Sequence, residues 1–186
     1  MPVQFIGGSS GGGTTDVRTT FADPVLNDAL ANTTTIVAQY QIPANYLTTN
    51  ELISIKYISQ FGVSNTGIVR FYIYIGSTGT LADTALVLNT SDTIYNLLAA
   101  SNYGQIYLSA YVYFYAIGTN GLASAKIDAI TKTSAVADAV GNKPAFFGFD
   151  SKATVDTTQP FYISLVAVTP TTAVVDTLGS YISVGY

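Results

Sequence analysis

The chain has 186 residues, enough for one well-buried core, and 48% of them are apolar, which excludes a disordered chain. Only 10% are charged and the net charge is −4, with seven scattered Lys and Arg, so the basic stripe that nucleic-acid binding needs is missing. With no Cys and no His, the chain has no disulfide, no thiol chemistry and no Ser-His-Asp or Cys-His catalysis, and it lacks the commonest transition-metal ligand.

The first residues, Met1 to Ile6, carry neither the basic region nor the long apolar run of a secretory signal. No apolar run approaches the ~20 residues of a membrane-spanning helix. The expectation is a product made in the cytoplasm, with no membrane partner. Val3, Phe5 and Ile6 form a small apolar tag ahead of a Gly/Ser/Thr linker at 7–15. Residues 1–20 therefore read as a flexible arm with those three as docking candidates, or as a plain disordered terminus. The glycines at 7, 8, 11, 12 and 13 lack the flanking strand, helix and Gly-Lys-Ser/Thr of a phosphate loop. Residues 21–186 read as a single domain.

Residues 23–32 carry a short helix signature: Asp23 as cap, Pro24 at the first turn, and an apolar stripe of Val25, Leu26, Ala29 and Leu30 closed by Asn32. From residue 33 the pattern alternates with period two, as strands do. Ile36, Ala38, Tyr40 and Ile42 share a face, and Pro43-Ala44-Asn45 ends that strand. Ile53, Ile55, Tyr57 and Phe61 share the next. Val69, Phe71, Ile73 and Ile75 follow, with Arg70, Tyr72 and Tyr74 opposite. Short strands are expected near 84–89 and 93–98.

Residues 104–117 alternate most clearly. Ile106, Leu108, Ala110, Val112, Phe114 and Ala116 fall on one face, and Tyr107, Ser109, Tyr111, Tyr113, Tyr115 and Ile117 on the other. A turn at Gly118–Gly121 leads into residues 122–131, which alternate as a strand, although so Ala-rich a segment also suits a helix. A helical turn over 134–140, an aromatic strand over 144–149, a strand over 160–168 and a last strand over 181–186 complete the reading. About 8–10 antiparallel strands with Gly, Asn and Thr turns imply an all-β jelly roll or β-sandwich.

Eleven carboxylates are available for hard-cation binding or acid–base work. The pairs Asp83/Asp92 and Asp150/Asp156 flank loops, but neither spacing is that of an EF-hand, and solvated loop aspartates are the plainer reading. No metal, cofactor or catalytic residue is assigned, and the chain is not expected to be an enzyme. Tyrosine is the best candidate for function, because its ring offers apolar area and its hydroxyl a polar tip. Tyr107, Tyr111, Tyr113 and Tyr115 form a ladder, which Tyr72 and Tyr74 extend if their strand lies nearby. Three roles stand: a second core layer, an intersubunit surface, or a platform for sugars.

Thr33 to Leu47, with its Thr run, alternating strand and Ile-Pro-Ala-Asn-x-Leu ending, resembles the opening of a β-sandwich domain of tailed-phage virion structural proteins. Gly67 to Gly76 and Asp156 to Ile163 are similar to further elements of it. The resemblance covers 33–76 and 156–186. It implies a jelly-roll-like fold, a homotrimer, and a place in a capsid decoration, head fibre or tail fibre. The expected function is thus a non-enzymatic virion component, made in the host cytoplasm, that oligomerises and docks on other virion proteins. The alternative is a carbohydrate- or receptor-binding module using surface tyrosines on a glycan.

Overall fold

The computed structural model describes residues 25–48, 50–63, 67–86, 95–97, 102–133, 144–146, 152–169 and 173–185. These residues form β1 (Val25–Leu26), β2 (Thr34–Ile42), β3 (Leu52–Val63), β4 (Gly67–Gly76), β5 (Thr84–Leu86) and β6 (Tyr95–Leu97). The remaining strands are β7 (Asn102–Ala116), β8 (Gly121–Thr133), β9 (Pro144–Phe146), β10 (Lys152–Val155), β11 (Phe161–Val168) and β12 (Ala173–Gly185). One sheet runs β1–β2–β11–β4–β5 with β6 on β4. The other runs β10–β8–β7–β3–β12 with β9 on β8. Every pairing is antiparallel. The fold is a β-sandwich, as the alternation predicts.

Each long strand gives one face to the core. From the first sheet come Ala38, Tyr40 and Ile42 of β2, Val69, Phe71, Ile73 and Ile75 of β4, and Phe161, Ile163, Leu165 and Ala167 of β11. The second supplies Ile53, Ile55 and Tyr57 of β3, Ile106 to Phe114 of β7 at alternate positions, and Ala123, Ala125 and Ile127 of β8. Aromatic rings lock the layers together: Tyr57 meets Phe71 edge-on at 5.8 Å, and Phe114 lies 5.8 Å from Phe161. Ala123 stands opposite Phe114 in register, so a small residue makes room for a large one.

Three bulges break simple alternation. Between Leu165 and Val166 the β11–β2 register shifts, and Val37 is the extra residue. Val37 is buried as a result, while Ile36, expected inward, is only partly buried. A shift between Phe114 and Ala116 makes Tyr115 the extra residue of β7. The third lies at Leu178 of β12. The last strand, expected over 181–186, begins at Ala173; the bulge and the polar Asp176, Thr177, Gly179 and Ser180 hide the period of its first half.

Over its described part, residues 25–32, the helix expected at 23–32 does not form. Val25 and Leu26 pair with Gln39 and Ala38 at the edge of the first sheet. The chain then crosses to the second sheet, where Ala29 N–H donates to Val175 O (2.8 Å) and Val175 N–H to Ala29 O (2.9 Å). Asn27 Nδ2 holds Ile36 O at 3.0 Å, and Asp28 Oδ1 accepts from Thr177 N–H at 2.8 Å. An unsatisfied sheet edge thus competes successfully with a helix of this length, whose isolated stability is marginal. The arm at 1–20, with Val3, Phe5 and Ile6, and the turn at 134–140 lie outside the described residues.

Candidate functional site

Strand β7 sits between β3 and β8, so its backbone is paired on both sides. Its apolar face fills the core. Its other face turns outward and carries Tyr107, Ser109, Tyr111, Tyr113 and Tyr115. Tyr107 and Tyr115 are exposed, at 42% and 41%. Tyr111 and Tyr113 are half-buried by their neighbours. Tyr113 and Tyr115 meet edge to face, with centroids 4.7 Å apart, which the bulge at Tyr115 permits.

Register fixes what surrounds the ladder. Leu52 and Ser124 stand on either side of Tyr113, Ser54 and Lys126 beside Tyr111, Lys56 and Asp128 beside Ser109, and Ile58 beside Tyr107. Lys56 Nζ donates to Ser109 Oγ (2.6 Å) and Tyr111 OH (3.2 Å), and lies 5.2 Å from the Tyr111 ring centroid. Lys152, from β10, places Nζ 5.0 Å from the Tyr115 centroid. Lys126 Nζ pairs with Asp128 Oδ2 at 3.0 Å, while Asp128 Oδ1 is buried without a donor. Ser124 Oγ donates to Tyr115 OH (3.0 Å), Tyr107 OH to Gln105 Oε1 (2.7 Å), and Tyr113 OH to Asn50 Oδ1 (3.5 Å). The face therefore mixes aromatic rings with ammonium groups, those of Lys56 and Lys152 beside neutral partners and that of Lys126 in an ion pair.

Tyr72 and Tyr74 do not extend this ladder. Strand β4 belongs to the first sheet, so both lie on that sheet's outer face with Arg70, across the sandwich from β7. Sequence reasoning also missed Lys56, Lys126, Lys152 and Asp128. The signal was the polar phase of β3 and β8, where Ser54, Lys56 and Gln60, and Ser124, Lys126 and Asp128, alternate with core residues.

The loop aspartates are engaged in turns. Asp83 Oδ1 accepts from Thr78 N–H (3.0 Å) and Thr78 Oγ1 (2.7 Å), and Oδ2 from Gly79 N–H (2.8 Å). Asp156 Oδ1 accepts from Thr158 N–H (2.9 Å) and Thr158 Oγ1 (2.6 Å). Asp92 and Asp150 lie outside the described residues. Glu51 is buried and accepts from Thr48 N–H through Oε2. Among the described residues no three or more Asp and Glu gather at one point.

No protein-family model matches the chain, and no curated protein matches it. A chain from the structure of infectious bursal disease virus Gx strain is a structural neighbour, with a TM-score of 0.26 and 15% sequence identity. The alignment covers 99% of this chain and 47% of that one, so the chain spans about half the length of its viral neighbour.

Proposed function

We propose that this chain is a non-enzymatic structural subunit of a virion that works by association, with the outer face of β7 as its contact surface and a homotrimer as its assembled state. The observation that carries the reading is the two-sided use of β7. One face is core, and the other places Tyr107, Tyr111, Tyr113 and Tyr115 in a row on the surface. Surface rich in tyrosine is what protein contacts favour. The likeness of 33–76 and 156–186 to tailed-phage sandwich domains supports a virion location, as a capsid decoration or fibre component. Light scattering of the purified chain tests association. An oligomer that Tyr113→Ala weakens supports the reading, and a chain that stays monomeric at high concentration overturns it.

A second reading, carbohydrate or receptor binding, draws support from the exposure of Tyr107 and Tyr115. A glycan-array signal that Tyr115→Ala abolishes, on a monomeric chain, would favour it.

A further inference from the structure

The two lateral sides of the sandwich differ in charge. Strands β7, β8 and β10, with Lys56 of the adjoining β3, present Tyr111, Tyr113 and Tyr115 together with Lys56, Lys126 and Lys152. Asp128 is the one carboxylate of this face among the described residues, and it is already paired with Lys126. The far side of the same sheet is formed by β12 and by residues 25–30, which strap it to the first sheet. That side carries Asp28 and Asp176 and, among its described residues, no Lys or Arg. It also exposes three leucines: Leu30 at 67%, Leu178 at 52% and Leu26 at 39%.

We infer that the tyrosine–lysine face of one copy docks on the leucine–aspartate side of the next, a head-to-tail contact between copies of this chain. The inference rests on the association proposed above and names its partner surface. Charge decides between the possible pairings. A two-fold contact of the tyrosine face with itself sets Lys56 and Lys152, whose partners are neutral, against the same two residues, and like charges brought together oppose docking. Head-to-tail docking sets them against Asp28 and Asp176, and covers the leucines with tyrosine rings. The first surface is centred on β7, β8 and β10 and the second on β12 and residues 25–30, with β3 and its Lys56 between them, so each copy can give one and receive the other. Such a heterologous contact closes into a ring when the rotation allows, and a three-fold ring is the simplest closure for a trimer.

The test uses two variants of the full chain, each first checked for an unchanged circular dichroism spectrum. Lys152→Glu with Tyr115→Ala spoils the head and leaves the tail. Leu30→Lys with Asp176→Lys spoils the tail and leaves the head. Sedimentation is expected to show each variant as a monomer, and their mixture as a one-to-one dimer that grows no further. Raised salt should weaken that dimer. A tail variant that assembles like the parent, or a mixture that stays monomeric, overturns the head-to-tail contact while leaving association through tyrosine in place. A parent chain that is itself monomeric removes both, including the case in which it binds an anionic glycan instead.

Discussion

The hydroxyl of Tyr40, in the first sheet, hydrogen-bonds that of Ser180, in the second, so a polar bridge crosses the apolar core. Ser180 Oγ in turn donates to Lys56 O at 2.8 Å. Within the second sheet, Tyr57 OH of β3 and Thr177 Oγ1 of the neighbouring β12 lie 2.9 Å apart. These two phenols are spacers of core size whose polar ends find partners at the β12 edge, which holds that edge against the rest of the sandwich.

Burial pushes both phenols up to about 12; their hydroxyl hydrogen bonds act the other way, and the Asp28 and Asp176 carboxylates add to the rise at Tyr57. In the unfolded chain a tyrosine ionises near pH 10. Folding thus favours the neutral form, and the stability linked to it is complete below about pH 10 and lost as pH rises toward 12. Each residue contributes on the order of 2 kcal/mol to that loss. The urea midpoint should be level up to about pH 10 and fall steeply above it, and Tyr40→Phe with Tyr57→Phe should flatten the fall. A midpoint as steep in the double variant as in the parent would show that other groups govern it.

Neighbouring residues of β7 should respond very differently to truncation. Phe114 is fully buried against Phe161, whereas Tyr115 is 41% exposed. Phe114→Ala should cost about 3–5 kcal/mol in chemical denaturation, through lost burial and the cavity left behind. Tyr115→Ala should cost under about 1 kcal/mol and act on association. Equal costs would contradict the assignment of the two faces.

Gly121 opens β8 where the β7–β8 turn meets the end of β10. A methyl group there would lie 2.6 Å from Val155 O and 3.2 Å from Ala116 O, both backbone atoms. Gly121→Ala should destabilise the fold by about 1–3 kcal/mol, the range for overpacking a close approach. A thermal midpoint equal to the parent's would refute this.

The strap at 25–30 depends on the paired hydrogen bonds of Ala29 and Val175. Ala29→Pro removes the donor to Val175 O and should open that side. Amide exchange at Val175 is expected to accelerate at least tenfold, with exchange in the central strand β7 little changed. Uniform acceleration across both would mean that the strap is no separate unit.

Much of the fold was legible in local patterns. Strands β2, β4, β7 and β11 follow alternations such as Val69-Phe71-Ile73-Ile75. The misreadings have physical causes. The stripe Val25, Leu26, Ala29, Leu30 suits a helix, yet an open sheet edge offered those residues better hydrogen bonds. The first half of β12 was hidden because a bulge at Leu178 disrupts the period. Half of the candidate surface, the tyrosine ladder, was visible in one strand. The lysines around it were not, since they arrive from β3, β8 and β10.

Sequence alone determined the chemistry on offer and the two faces of each strand, because side-chain alternation is a property of a single extended segment. Without His or Cys it excluded thiol and Ser-His-Asp chemistry, and it gathered Tyr on β7. Which strands lie side by side was decided only in three dimensions. The pairing of β2 with β11 joins residues more than 100 positions apart, such as Tyr40 and Ile163. Such pairings sent Tyr72 and Tyr74 to one side of the sandwich and Tyr107 to Tyr115 to the other. They also assembled Lys56, Lys126 and Lys152 around the ladder, since neighbours across a sheet are set by register and burial and not by nearness along the chain.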